Sequence, residues 1–437
     1  ENMAGLLDKS GYELVDNEEK ADMIIVNSCT VKNKAENKFW RDISDIKKLK
    51  KPVIMAGCVP QAEKDKSKFG GYSVIGTNQI NNVVEVVDET FSGNIVQLLK
   101  KEENKRLNIP KIRKNSIIEI VPINEGCLGS CNFCATKFAR GHLVSYEPKA
   151  IVKQIRSALN DGCKEIWLTS QDTACYGYDF ATQQNSRKAL QTSKFSYQDH
   201  RKNDINSSKN METDYINTNI VELLKEILAM KRDFKLRLGM GNPDYLPDYL
   251  DEIIDVFHDK RLYKFIHIPV QAGSDKVLRA MKREYTVKTF KNIIKKFKQV
   301  HPDITVATDI IVGYPDETDD DFDKTMNLVK ELEFDVINIS RFWPRPGTIA
   351  AKKKPLSTKL VKERSIKLMN LFEKISKKRN DKWVGWTGSV LINEKGKNDS
   401  FVARNYAYKP IIVKGDYVIG QEVDVKVKRA TTFNLRC

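Results

Sequence analysis

Three cysteines stand close together in this chain of 437 residues: Cys127, Cys131 and Cys134, in the run Cys-Leu-Gly-Ser-Cys-Asn-Phe-Cys. Thiolates are the ligands of iron–sulfur clusters. Three closely spaced ones can hold three irons of a 4Fe–4S cluster and leave the fourth iron without a protein ligand. An open iron can be chelated by the amino and carboxylate groups of S-adenosylmethionine. An electron from the cluster then cleaves the sulfonium, and the 5′-deoxyadenosyl radical abstracts hydrogen, a chemistry that only a cofactor supplies. Phe133, just before the third cysteine, is placed to pack on the adenine. A zinc site is the plainer reading of Cys-x2-Cys. It lacks a fourth ligand here, because His142 lies eight residues on, in a glycine-containing turn.

Two more cysteines share a setting. Cys29 follows the apolar run of 21–28, and Cys58 follows that of 51–57. Each ends a predicted strand, and adjacent parallel strands would bring the two together as ligands of a second cluster. A third ligand is expected upstream of Glu1, because the chain opens without an initiator Met and inside a predicted helix. A single free cysteine is most often a buried apolar side chain. Cys163 and Cys175 are read that way, and Cys437 has no evident role.

Parallel strands joined by helices are needed to position such loops, and the chain has that rhythm. Residues 1–103 predict a parallel α/β sandwich. A charged stretch, 101–115, predicts a linker. Between 116 and 376, apolar runs at 117–123, 165–170, 235–240, 264–270, 305–313 and 335–342 alternate with helical patterns. They predict a (βα)6 partial TIM barrel, whose sites lie at the C-terminal ends of its strands. A polar insertion at 178–215 interrupts the rhythm and predicts a surface loop. Residues 351–382 predict a basic helix, with ten Lys and two Arg against two Glu and one Asp. Short alternating strands with Gly turns in 383–437 predict a small β-barrel.

The net charge is +16, which suits a polyanionic partner such as nucleic acid. In the last domain Lys409, Lys414, Lys426, Lys428 and Arg429, with Tyr406 and Tyr408, offer charge and stacking surfaces for RNA. No apolar run reaches the roughly 18 residues of a membrane span, no signal peptide is visible, and the cysteines do not form a disulfide framework. A reducing cytoplasm without membrane attachment is the expectation.

The motifs resemble those of the radical S-adenosylmethionine (SAM) methylthiotransferases. NSCTVK (27–32) and AGCVPQ (56–61) resemble the second and third cluster cysteines of that family's N-terminal domain. GCLGSCNFCATKFARGHLVSY (126–146) resembles its radical SAM loop, and the segment from Lys137 to Gly141 resembles the archaeal and eukaryotic branch. IPVQAGSDKVLRAMKREYT (268–286) and DIIVGYPDETDDDF (309–322) match later barrel signatures. The C-terminal segment resembles a TRAM domain, an RNA-binding module with an OB-like barrel.

The resemblance implies two 4Fe–4S clusters, one on Cys127, Cys131 and Cys134 and an auxiliary one on Cys29, Cys58 and the upstream cysteine. It implies sulfur from the auxiliary cluster and a methyl group from a second SAM. It also implies a tRNA anticodon stem-loop as substrate, with threonylcarbamoyladenosine converted to its 2-methylthio form. By motif, Thr169, Gln171 and Asp172 become candidates for the SAM amino group. Arg237, Asn242, Gln271 and the Ile311–Gly313 backbone complete the pocket, and Arg140 is a candidate to neutralise a carboxylate or phosphate. An electron donor such as ferredoxin or flavodoxin and a monomeric state are expected. Isopentenyladenosine tRNA, a ribosomal protein, or a non-enzymatic iron–sulfur RNA-binding or redox role are the alternatives.

Overall fold

A computed structural model describes residues 1–30, 33–100, 106–180 and 218–437. From residue 181 on, the insertion read at 178–215 lies outside the described residues.

Alternation builds the first sheet. Strands β1 (Ile24–Ser28), β2 (Val53–Gly57), β3 (Ser73–Ile75) and β4 (Gln97–Leu98) pair in parallel in that order. In β2, Val53 and Met55 turn one way, onto Phe39, Ile43 and Ile46 of the helix Asn33–Ile46. Ile54 and Ala56 turn the other way, onto Leu7 of the helix Asn2–Lys9 and onto Val83, Val86 and Val87 of the helix Val83–Phe91. Both faces are covered, as a parallel sheet requires.

All six expected barrel strands form: β5 (Ile118–Pro122), β8 (Glu165–Thr169), β9 (Lys235–Leu238), β10 (Phe265–His267), β11 (Thr305–Val312) and β12 (Val336–Arg341). A short antiparallel pair, β6 (Asn124–Glu125) with β7 (Val144–Ser145), follows β5. The strands make two parallel sheets, β5-β8-β9 and β10-β11-β12. Bridges Leu236–Leu262 and Met240–His267 join them, so six strands curve into one partial barrel. Amphipathic helices cover it. In the helix Thr358–Asp381, Val361, Arg364, Leu368, Phe372 and Ile375 face inward at the helical period.

Strands β13 (Thr387–Lys395), β14 (Ser400–Arg404), β15 (Pro410–Lys414), β16 (Glu422–Lys426), β17 (Arg429–Ala430) and β18 (Leu435–Arg436) form one sheet, ordered β16-β13-β14-β15-β18-β17. It curls as a half-barrel around Val390, Ile392, Ala403, Ile411, Val413 and Leu435.

This half-barrel closes the N-terminal end of the barrel strands. The Asn393 amide donates to Glu165, which is fully buried at the start of β8. Tyr408 packs edge-on against Tyr263, with ring centroids 4.8 Å apart. The Lys409 ammonium stands 2.7 Å from Asp335, just before β12. Two expected RNA contacts are therefore corrected: Lys409 is 3% exposed and Tyr408 9%, because a buried carboxylate and an aromatic cluster claim them. The basic helix is corrected in part. Arg364 turns inward to Glu317, and Arg379 to Asp335, each at 2.7 Å.

The stretch expected to be a linker is, from Arg106 on, a packed strap. Glu119 in β5 is 1% exposed. A carboxylate that far from water needs cations, and the strap supplies Lys111 at 2.9 Å and Arg113 at 2.5 Å.

Lys409→Met should leave Asp335 short of a cation and lower stability by about 3 kcal/mol, read as a drop in the denaturation midpoint of the apoprotein. Burial alone would raise the Asp335 carboxyl, but Lys409 and Arg379 hold it below its ordinary value. Its contribution is thus present above the ordinary carboxylate range and lost as pH falls. The gap between wild type and variant should narrow toward acid.

Candidate metal centre

The Cys127–Cys134 loop follows β6, just beyond the C-terminal end of β5, and is held by segments that follow three other strands. Beyond β8, the Gln171 side-chain oxygen accepts from the Gly126 amide at 2.8 Å. Beyond β10, the Asn132 amide and side chain donate to the carbonyls of Met281 and Ala280 at 3.0 and 2.8 Å. Beyond β12, the Ala350 amide donates to the Asn132 carbonyl at 2.9 Å.

Gly129 lies inside the cysteine cradle. A Cβ there would come 3.3 Å from the Cys127 sulfur and 3.8 Å from that of Cys131. The Gly129 amide donates to the Cys127 sulfur at 3.3 Å. Among the described residues, no three His, Cys, Asp or Glu side chains gather around a point that could hold one metal ion. Thiolates that each bind a different iron stand farther apart than that, and two sulfurs flanking one glycine, with its N–H aimed at one of them, suit a cluster.

Two neighbours of this loop escape sequence reasoning. Cys175, read as structural, is buried; its thiol donates to the Asp172 carbonyl at 3.3 Å, and its place beside Cys127 lowers the Cys127 pKa. Arg283 offsets in part the burial that pushes the Cys131 thiol up to about 11. Its Nε is buried and has no hydrogen-bond partner among the described residues. Spacing carries no signal for either, although Arg283 lies inside one of the quoted motifs.

Asp172 completes the wall. Its Oδ1 accepts from the amides of Asn242 and Ala174 at 2.9 and 3.1 Å, while its buried Oδ2 has no partner among the described residues. Burial raises its carboxyl to about 6. The Asn242 side chain donates to Asp244 at 2.8 Å. Thr169 uses its carbonyl to accept from Ile123 at 3.0 Å. Phe133 packs edge-on against Tyr314 at 6.4 Å. The Gln271 amide donates to Asp309, and the Gln271 carbonyl accepts from Ile311 at 2.9 Å, while the Gly313 amide donates to Glu317.

Arg237 is placed differently. Its guanidinium lies 5.0–5.3 Å from the rings of Trp167, Phe265 and Tyr408, the aromatic group under the half-barrel. Arg140 stands 3.7 Å from Glu125.

Cys29 and Cys58 follow paired positions. Ser28 and Gly57 are partners in the β1–β2 ladder, so the two cysteines leave neighbouring strands at the same level. The Ser28 hydroxyl donates to the Ala56 carbonyl at 2.6 Å and accepts from the Val59 amide at 3.1 Å. Gly57 has φ of +95°, and a Cβ there would meet Asn27 at 2.5 Å, so only glycine makes this turn. The helix Cys58–Ala62 packs on the helix Thr136–Arg140 that follows Cys134. The two cysteine sites are thus joined through packed helices.

A partial barrel with a three-cysteine loop at its strand ends defines the radical SAM class, and the profile of the Radical SAM superfamily matches residues 121–329. The uncharacterized protein family UPF0004 matches 1–72, and the TRAM domain 382–436. The radical S-adenosylmethionine methyltransferase TsrM from Kitasatospora setae is 12% identical, with a TM-score of 0.53 over 80% of this chain and 70% of that one, a likeness of fold. The human threonylcarbamoyladenosine tRNA methylthiotransferase is 40% identical over 98% of this chain and 69% of its own length. The probable enzyme of that name from Pyrococcus abyssi is 36% identical over 100% and 94%. The chain belongs to the threonylcarbamoyladenosine tRNA methylthiotransferase family.

Gly129→Ala should push on the Cys127 sulfur and lower the iron and sulfide content after reconstitution, with little change in melting temperature. Cys175→Ala should keep the cluster and shift its reduction potential, read by spectroscopic titration, because it removes a polar thiol from beside a ligand sulfur.

Proposed function

We propose that this chain is a SAM-dependent radical methylthiotransferase that converts N6-threonylcarbamoyladenosine, next to the tRNA anticodon, to its 2-methylthio derivative. The observation that carries the reading is 36–40% identity to relatives of that name over 98–100% of the chain. Cys127, Cys131 and Cys134 would hold the radical cluster, and Cys29 and Cys58 would contribute to an auxiliary one. When bound, these clusters with SAM supply an adenosyl radical, a sulfur atom and a methyl group.

The protein's own part is to hold and to exclude. Asp172 Oδ2, buried and without a partner among the described residues, would accept from the SAM amino group, and Arg283 Nε would donate to its carboxylate. Gln171 fixes the loop through its side-chain oxygen and stays a candidate for the SAM amino group beside Thr169. Phe133, Asn242, Gln271 and the Ile311–Gly313 backbone remain candidate walls of the SAM pocket. The target base must leave its stack to reach this site, which a single-stranded anticodon loop allows.

The TRAM half-barrel supports tRNA binding, through the exposed Lys414, Lys426, Lys428 and Arg429. No helix among the described residues is long and apolar enough to cross a membrane. A cytoplasmic location, a monomeric state, a ferredoxin or flavodoxin reductant, and three domains at 1–103, 116–376 and 383–437 belong to this proposal.

Deleting the gene should remove 2-methylthio-threonylcarbamoyladenosine from total tRNA, measured by nucleoside mass spectrometry. Unchanged levels would refute the substrate. The reduced, reconstituted protein should form 5′-deoxyadenosine from SAM; an intact cluster that forms none would favour a binding role.

A further inference from the structure

Among the described residues between the two cysteine sites, two guanidiniums share one carboxylate. Glu125, in the short β6–β7 pair, is 7% exposed. Its Oε1 has the Arg106 guanidinium at 2.5 Å and accepts from the Tyr146 hydroxyl at 2.6 Å. Arg106 thus meets its charge at close range. A second guanidinium, that of Arg140, stands 3.7 Å from Oε2, within ion-pair reach but beyond hydrogen-bond length. Among the described residues, no other carboxylate forms an ion pair with Arg140. Burial lowers the pKa of Arg106, Glu125 raises it, and the charge of Arg140 lowers it further, so the two guanidiniums feel each other across one carboxylate.

The position matters as much as the charge. Arg140 ends the helix that follows Cys134, and this helix packs on the one that begins with Cys58. The Thr77 hydroxyl, from the N-terminal domain, donates to the Ala139 carbonyl at 2.6 Å and holds the two together. The Arg140 side chain remains 22% exposed. Neighbouring Lys137 is already engaged, donating to the Gly129 carbonyl at 3.2 Å.

A base that receives sulfur at C2 must lie between these sites. In threonylcarbamoyladenosine the N6 substituent hangs from the same Watson–Crick edge as C2 and ends in a free carboxylate. A guanidinium fork binds a carboxylate through two parallel N–H donors. We propose that Arg140 binds the threonyl carboxylate of the substrate base and so selects tRNA that already carries this modification. The inference rests on the reading that threonylcarbamoyladenosine is the substrate.

The test measures binding of three forms of one tRNA by the full chain. They carry threonylcarbamoyladenosine, unmodified adenosine or isopentenyladenosine beside the anticodon. Wild type should bind the first about tenfold or more tighter than the others, the scale of a charged hydrogen-bonded pair. Arg140→Gln should erase that preference while leaving affinity for unmodified tRNA and melting temperature unchanged, and Arg140→Lys should restore part of it. A variant that keeps the full preference overturns the proposal. So does equal weakening toward all three tRNAs, which would assign Arg140 to phosphates or to structure. A wild type that shows no preference overturns it by removing the substrate reading itself.

Discussion

A carboxylate cannot stay charged in a protein interior without a cation or several donors beside it. The barrel carries such carboxylates at several places, and their partners come mostly from other segments. Glu119 is met by Lys111 and Arg113 of the strap, and Glu125 by Arg106. Glu165 takes the Asn393 amide from the half-barrel, and Asp335 takes Lys409 and Arg379. Glu36, on the N-terminal domain, takes Arg345 from beyond β12 at 2.7 Å. Each pair ties two parts of the chain together, because separation would strand a charge away from water.

The cysteine loop depends on the same framework. Its hydrogen bonds run to segments beyond β8, β10 and β12. A shift of any of these strand ends would move the sulfurs, so the cradle is a property of the whole barrel. The second site is tied in through the strap, where Arg106 donates to the Thr77 carbonyl and reaches Glu125. The parts that would bind SAM, sulfur and substrate are thereby held against one another before any of them is bound.

Much of this was legible in the chain. The six barrel strands declared themselves as apolar runs between helical patterns, because strand burial leaves a local imprint. The cysteine spacings and the matched settings of Cys29 and Cys58 pointed to thiolate chemistry. Partnership across long sequence separations left no imprint. Lys409 and Tyr408 looked like RNA-facing residues because a basic residue and a tyrosine on a predicted surface strand read as exposed. They turned inward to Asp335 and to the ring cluster around Arg237.

What the sequence determined by itself was the class of chemistry and the order of elements, since both follow from local spacing and periodicity. What only the tertiary structure decided was which charges are spent. It consumed Lys409, Arg379, Arg364, Lys111 and Arg113 on buried carboxylates. It set Cys175 and Arg283 beside the cluster loop. And it left Arg140 between the two cysteine sites with its guanidinium only loosely paired. A charge is neutralised by whatever lies within a few ångströms of it, and that neighbourhood exists only once the chain has closed on itself.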